Sequence, residues 1–354
     1  MTTAAQPPSL TPMTLSFGEN APWFTAPSPS NPEFVFDTAA GRYVLMLFLP
    51  TAPEDRIGAL RALAAHQRLF DDDKAAAFVI LRDPAVAQGM RDMRGLRWLM
   101  DHTGAITTRY GPEPHWLLLD PTLRAMASAP ITDAEAMFAR IAALPPPAHH
   151  AGVPLHAPVL IAPRIFEPEL CEALIALHAA DGGRFTGVMR DQGERTIAVM
   201  DELKRRRDVL VRESALIGAI EARLERLLFP LIRLGLGYSV TRIERFLVSC
   251  YDAEDGGVFR PHRDSTTQAT AHRRFACSIN LNDDFDGGDL RFAEYGLTTY
   301  RPPAGGAVVF SCALMHEALP TTRGQRYAFL PFFFDEAAAE ILAAYQARTR
   351  EPVA

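Results

Sequence analysis

A histidine and an aspartate two positions apart, His262 and Asp264, are followed 52 positions later by His316 and ten positions after that by Arg326. Residues at i and i+2 on a β-strand project to the same side of the sheet, so His262 and Asp264 are predicted to converge on one ion. Gly306 to Ser311 (GAVVFS) is apolar and β-branched and runs on through Cys312 towards His316, which places the second imidazole at the end of another strand. Two imidazoles and one carboxylate bind ferrous iron on one triangular face and leave the opposite face open for substrate and oxygen. Thr321, Thr322, Arg323 and Gly324 then supply a turn, and Arg326 to Phe334 (RYAFLPFFF) returns as an apolar strand that brings Arg326 alongside His316. A guanidinium there suits an anionic co-substrate, because it offers a carboxylate a fixed fork of donors worth on the order of 2 kcal/mol.

An HxD pair alone is common in loops that bind no metal; the ordered set of HxD, Gly-Gly turn, strand, histidine and arginine at plus ten is far more specific. In that order the chain resembles the 2-oxoglutarate and iron(II) dependent dioxygenases, most closely the prolyl 4-hydroxylase-like branch. In that family the distal histidine is followed ten positions on by the Lys or Arg that grips the far carboxylate of 2-oxoglutarate. Tyr251, with Gly256 and Gly257 ahead of Pro261 and His262, is similar to the family's Tyr-Gly-Gly lead-in, whose tyrosine hydrogen-bonds the same carboxylate; the spacing here is slightly long. Ser278 to Phe292 (SINLNDDFDGGDLRF) resembles the family's acidic Gly-Gly hairpin, with Gly287 and Gly288 at the bend, and Phe166 to Leu177 resembles its first support helix. The match covers roughly residues 158 to 340.

The resemblance implies iron(II) held by His262, Asp264 and His316, and 2-oxoglutarate anchored by Arg326 with Tyr251. It also implies dioxygen as co-substrate, and it adds L-ascorbate as a candidate accessory reductant. The retained Asp264 favours hydroxylation over halogenation, since halogenating members lack the carboxylate; desaturation, cyclisation and demethylation use the same triad and stay open. The branch points to a prolyl or other amino-acid side chain as substrate, and a small metabolite is the other class.

Other titratable residues have plainer readings. His272, beside Arg273 and Arg274, is expected to be a solvated or substrate-lip residue and not a ligand. His149, His150 and His156 fall in a proline-rich stretch and are expected to be exposed. Lys204 to Arg207 (KRRR), before Asp208, reads as a solvated helix face. Cys171, Cys250, Cys277 and Cys312 are scattered without a CxxC, which fits buried thiols in a reducing compartment.

With 354 residues, the chain is long enough for two domains, and 48% apolar content excludes a mainly disordered one. A net charge of -6 argues against a nucleic-acid surface. The opening MTTAAQPPSLTP has neither a basic start nor an apolar core, so no secretory signal is expected, and no apolar run reaches the roughly 20 residues of a membrane span. A cytoplasmic protein is expected.

The expected fold class is α+β in two domains. Residues 1–14 read as a floppy tail and 144–158 (LPPPAHHAGVPLHAP, with its leading Leu144) as a proline-rich linker. Between them, Tyr43 to Pro50 (YVLMLFLP), Ala75 to Leu81 (AAAFVIL) and Trp116 to Asp120 (WLLLD) read as strands, and Arg56 to Phe70 has helical spacing. Residues 15–143 resemble the redoxin branch of the thioredoxin-like fold, including peroxiredoxins: Phe34 to Tyr43 falls at its entry hairpin, Phe48 to Arg56 at its active loop, and Tyr110 to Arg124 at its returning strand. That loop has no cysteine in this chain, so the thiol chemistry of peroxidases is excluded and a scaffold, a homodimer surface or a substrate-docking platform is expected. Residues 159–345 are expected to form a double-stranded β-helix (jelly roll) with flanking helices. A non-catalytic binding or assembly module is the alternative to an enzyme.

Overall fold

The computed structural model describes residues 15–87 and 89–349, so the tail expected over 1–14 lies outside the described residues. The chain divides into two compact units, one ending at His156 and taking in Ala293–Leu297, the other formed by Ala157–Phe292 and the chain from Thr298 onward.

In the N-terminal unit β1 (Thr25–Ala26) pairs with β2 (Phe34–Val35). A five-stranded sheet follows, built from β3 (Tyr43–Phe48), β4 (Ala75–Leu81), β5 (Leu96–Met100), β6 (His115–Leu119) and β7 (Ala125–Pro130) in the order β5-β4-β3-β6-β7. β3, β4 and β5 run parallel, and β6 and β7 return antiparallel. Every residue of β3 and β4 is buried, as continuous apolar strands in the middle of a doubly covered sheet must be. Alternate residues of β3 feed two cores: Val44, Met46 and Phe48 join Phe36 and Leu117, whereas Tyr43, Leu45 and Leu47 join Met137, Phe138 and Ile141 of α4 (Ala134–Ala142). The remaining helices are α1 (Pro53–Ala65), α2 (Pro84–Ala87) and α3 (Ala105–Tyr110). The entry hairpin expected around Phe34 to Tyr43 is not formed: β2 pairs back to β1, and the chain reaches β3 through a 3-10 turn at Phe36–Ala39.

The C-terminal unit runs β8 (Leu160–Ala162), α5 (Pro168–Asp181), β9 (Arg184–Phe185), β10 (Val188–Gln192), β11 (Arg195–Val199), β12 (Lys204–Arg205), β13 (Arg207–Leu210), α6 (Ser214–Arg223) and α7 (Phe229–Leu236). It continues with β14 (Arg242–Glu244), β15 (Leu247–Asp252), β16 (Val258–His262), β17 (Phe275–Asn280), β18 (Asp286–Gly287), β19 (Leu290–Arg291), β20 (Thr299–Tyr300) and β21 (Ala307–Ser311). Last come β22 (His316–Ala318), β23 (Thr321–Arg323), β24 (Gln325–Phe329), β25 (Phe332–Phe334) and α8 (Glu336–Thr349). Two sheets dominate, consistent with a jelly roll. The larger has the order β14-β25-β17-β24-β15-β13-β9, with β21 on β17 and β8 on β21; the smaller has the order β12-β16-β22-β19-β20. Leu170 and Leu174 of α5, Ile220 of α6 and Ile232 of α7 share one core with Val248, Ile279, Phe329 and Phe333 of the larger sheet.

Three local expectations are corrected. Ser278 to Phe292 is not a hairpin: β17 belongs to the larger sheet and β19 to the smaller, while β18 pairs with β23. The bend at Gly287 and Gly288 carries the chain between sheets, and both glycines adopt positive φ. The strand expected over Arg326 to Phe334 is broken at Leu330 and Pro331 into β24 and β25, since proline offers no ladder donor. Arg326 therefore stands on the larger sheet and His316 on the smaller, rather than side by side. Among the described residues no helix is long and apolar enough to cross a membrane, and all four cysteines are free and buried.

Gly305 ties the β20–β21 connection to the bend just before α5. Its carbonyl accepts from the Ile165 and Phe166 amides at 2.8 and 3.0 Å, its own amide donates to the Asn280 carbonyl at 2.8 Å, and its φ is +70°. A Cβ there would lie 2.1 Å from the Phe166 carbonyl oxygen. Gly305→Ala is expected to cost about 3 kcal/mol, read as a lower denaturant midpoint with an unchanged slope.

Candidate metal centre and arginine-lined pocket

β16 and β22 are neighbours, and in their register His262 stands directly opposite His316. The two rings lie 4.3 Å apart between centroids. Asp264 sits in the turn just after β16, not on the strand, yet it still reaches the same point. Its amide donates to the Cys312 carbonyl at 3.0 Å, and Arg263 donates to the Ala313 carbonyl, so the turn after His262 is tied to the turn before His316. One ligand atom from each of His262, Asp264 and His316 lies within 4.8 Å of the others. Among the described residues this is the one such group of three that could hold a metal ion.

The tautomers can be read from the backbone. His262 Nδ1 is 2.7 Å from the Arg260 carbonyl and His316 Nδ1 is 3.0 Å from the Leu314 carbonyl. A carbonyl can only accept, so each Nδ1 carries a proton and Nε2 is the nitrogen that each ring turns inward as a ligand. Those nitrogens stand 3.6 and 3.3 Å from the two Asp264 carboxylate oxygens. A cation bound between those nitrogens and the carboxylate would attract all three groups to one point. Burial, reinforced by the neighbouring His316, lowers the His262 pKa to about 3, which keeps its ring neutral. Burial pushes the Asp264 carboxyl up, but His316 and His262 outweigh it and hold the group well below the usual carboxylate range. The donor set of two neutral imidazoles and one carboxylate fits ferrous iron. Phe259 stacks on His262 and Phe310 packs at an angle on His316, fixing both rings.

Across the pocket stands Arg326, only 2% exposed. Its Nε donates to Asn280 Oδ1 at 3.1 Å and its Nη2 to Ser278 Oγ at 2.8 Å, while its buried Nη1 has no hydrogen-bond partner. No carboxylate lies within ion-pair distance of it among the described residues. An orphaned, buried guanidinium nitrogen is expensive unless an anion meets it, and this fits the carboxylate of a bound co-substrate. Tyr251, the cross-strand partner of Arg326, is buried beneath it. The Tyr251 hydroxyl accepts from Arg206 Nη1 at 2.9 Å, which leaves its own proton free to donate.

Arg206 was not legible as a pocket residue, because Lys204 to Arg207 does not form the solvated helix face expected of it. β12 pairs with β16 in the smaller sheet and β13 with β15 in the larger, so the chain changes sheets at Arg206. Lys204, Arg206 and Asp208 all point inward, 8%, 4% and 8% exposed. The alternation of a β-strand was present in the sequence; four consecutive cations masked it. Arg206 Nε lies 3.0 Å and Lys204 Nζ 3.3 Å from the Asp208 carboxylate. Burial lowers the Lys204 pKa to about 7. It raises that of Asp208, but Arg206 and Lys204, with hydrogen bonds from Ser249 and Thr186, bring it down to about 2.

His272 is also corrected: it is buried, not solvated, and its Nε2 lies 2.9 Å from Glu244 Oε2. His149 and His156 are exposed as expected, whereas His150 is half-buried. Burial raises the pKa of Cys171 and Cys250 to about 11, which keeps both as unreactive thiols.

Residues 246–334 match the family model described as the 2OG-Fe(II) oxygenase superfamily, 2OG being 2-oxoglutarate. That stretch contains His262, Asp264, His316 and Arg326, so the match to a 2OG-Fe(II) oxygenase domain falls within the C-terminal unit and takes in the whole candidate site. A PKHD-type hydroxylase of Synechococcus sp. (strain JA-2-3B'a(2-13)) is 31% identical over 93 residues, 24% of this chain and 41% of that protein. A multifunctional procollagen lysine hydroxylase and glycosyltransferase of Rattus norvegicus is 34% identical over 100 residues, 27% of this chain and 13% of that protein. The chain thus spans less than half the length of these relatives. Among solved structures, a Pseudomonas putida prolyl-4-hydroxylase aligns with a TM-score of 0.38 at 21% identity, covering 51% of this chain and 94% of that one.

Two outcomes are expected. Asp264→Ala and His262→Ala should each weaken Mn(II) binding, used as an oxygen-stable surrogate for iron(II), by at least about 100-fold in calorimetry. For Asp208 the folded pKa lies below the unfolded value, so its contribution is fully present above about pH 4 and is lost as pH falls towards 2. Asp208→Asn should therefore be less stable than the parent at pH 7, by about 3 kcal/mol because two buried cations lose their partner. The gap should narrow in denaturant titrations below pH 4.

Proposed function

We propose that this chain is an iron(II)- and 2-oxoglutarate-dependent dioxygenase that hydroxylates an unactivated C-H bond. The single observation that carries the reading is the convergence of two imidazoles, Nε2 inward, and one carboxylate, in a pocket that is also lined by an arginine without a counterion. Iron with 2-oxoglutarate supplies the activation of dioxygen, coupled to decarboxylation of the co-substrate to succinate. The chain's own residues bind and orient. His262 and His316 offer nitrogen lone pairs, Asp264 contributes one negative charge, and the backbone carbonyls of Arg260 and Leu314 hold the ring tautomers. Arg326 anchors the distal carboxylate of 2-oxoglutarate, and the Tyr251 hydroxyl donates to the same group. Phe259, Phe310 and Phe332 line the pocket and exclude water from the reacting face.

The names of the relatives support a prolyl- or lysyl-type hydroxylase chemistry, with a peptidyl side chain or a small metabolite as substrate. The N-terminal unit is proposed to be a redoxin-like support or assembly unit. In favour of that reading stand its parallel β3-α1-β4 unit, the antiparallel return of β6 and β7 followed by α4, and a turn after β3 that carries no thiol. The proposed domain limits are 15–143 and 159–345, joined by 144–158.

Arg326→Leu should raise the dissociation constant for 2-oxoglutarate at least tenfold, about the loss of one charge-assisted contact, while Mn(II) affinity stays within about twofold of the parent. An unchanged 2-oxoglutarate affinity would show that the anchor is another residue. The activity itself is tested by mass spectrometry: incubation with iron(II), 2-oxoglutarate and candidate peptides or metabolites should add one oxygen atom to a substrate and release succinate in equal amount. Failure of the anaerobic enzyme to develop a visible charge-transfer band with iron(II) and 2-oxoglutarate would leave only a binding module.

A further inference from the structure

The pocket holds one more cation than the proposed co-substrate uses. Arg206, Arg245 and Arg326 all line it together with His262, Asp264 and His316. Arg206 is paired with Asp208, which it shares with Lys204, and Arg326 is assigned to 2-oxoglutarate. Arg245 has no such partner: its Nε donates to the Leu330 carbonyl at 3.3 Å, its guanidinium lies 4.3 Å from the centre of the Phe332 ring, and no carboxylate is within ion-pair distance of it among the described residues. The adjacent Glu244 is already occupied, because Arg273 donates to both of its carboxylate oxygens and His272 lies against one of them.

The backbone adds an independent observation. Arg245 adopts φ +54°, a left-handed conformation that a long L side chain rarely takes. Such strain persists where the surrounding structure enforces it, and it collects at binding sites. Here it turns the side chain of the residue following β14 into the pocket in place of a course along the strand. Arg273, already paired with Glu244, approaches the same Phe332 ring at 3.9 Å; a ring attracts a cation through its quadrupole but cancels no charge, so Arg245 keeps its own. A guanidinium fork at a pocket wall is suited to bidentate contact with a carboxylate.

Resting on the proposed function, we infer that Arg245 binds an anionic group of the substrate, so that the compound oxidised is a small carboxylic acid or an amino acid with a free carboxylate rather than an internal residue of a protein chain. Iron, Asp264, Arg326 and doubly charged 2-oxoglutarate together are neutral; Arg245 leaves one positive charge, which a monoanion cancels. The substrate's own carboxylate, held by Arg245, then places the target C-H bond within the pocket.

The test uses the full chain loaded with Mn(II) and saturating 2-oxoglutarate, and free amino acids, their N-acetyl derivatives and the matching carboxamides as probes. Binding next to the metal is read from Mn(II)-induced broadening of the probe NMR lines. At least one acid should bind about tenfold more tightly than its amide. Arg245→Gln should erase that preference and Arg245→Lys should retain part of it, with Mn(II) and 2-oxoglutarate binding preserved in both variants. Equal broadening by acids and amides, no broadening by any acid, or a preference that survives in Arg245→Gln overturns the inference. Loss of Mn(II) or 2-oxoglutarate binding in the parent chain would instead overturn the proposed function on which it rests.

Discussion

The site depends on one cross-strand register. His262 closes β16 and His316 opens β22, and because the two strands pair with these residues opposite each other, both imidazoles face one point without any long-range adjustment. A shift of one residue in either strand would turn a ring to the other face of the sheet. The register is held outside the ladder as well, by the Asp264 amide on the Cys312 carbonyl and by Arg263 on the Ala313 carbonyl. The backbone carbonyls that receive the two Nδ1 protons complete the device: they fix lone pairs inward before any ligand arrives, so the cost of orientation is met during folding.

Around this centre the pocket is built from charges whose partners are missing or shared. Arg206 is held by Asp208, and through the Tyr251 hydroxyl it helps to orient the ring beneath Arg326. Arg326 keeps two donors on Ser278 and Asn280 and leaves a third unpaired. Burying uncompensated cations opposes folding; their retention is intelligible when anionic ligands complete the arrangement. The two sheets contribute unequally: the smaller supplies the metal-binding side chains and the larger supplies the cation-bearing wall.

Much of this was legible in the sequence for physical reasons. The period-2 rule brings His262 and Asp264 together even though Asp264 lies in a turn, because two residues beyond the strand end the chain still keeps its direction. Continuous apolar runs marked β3 and β4 as central strands, and the resemblance to the dioxygenases, through their ten-residue spacing, pointed to Arg326. What failed was long-range pairing. The family resemblances implied hairpins at Phe34 to Tyr43 and Ser278 to Phe292, but in both places the strands find partners elsewhere, and in a two-sheet fold a Gly-Gly bend can move the chain between sheets instead of reversing it. Lys204 to Arg207 failed differently: charge dominated the reading, and the alternation that buries Lys204 and Arg206 became visible only with Asp208, Tyr251 and Phe259 in place around them. Arg245 gave no signal at all, because its role follows from a backbone conformation that composition does not encode.

The most direct test of the account is anomalous diffraction at the iron edge from crystals of the full chain grown anaerobically with iron(II). The account requires one peak within coordination distance of His262 Nε2, His316 Nε2 and an Asp264 carboxylate oxygen, on the side of those residues that faces Arg326. A peak at any other group of side chains, or none under saturating iron(II), would contradict it.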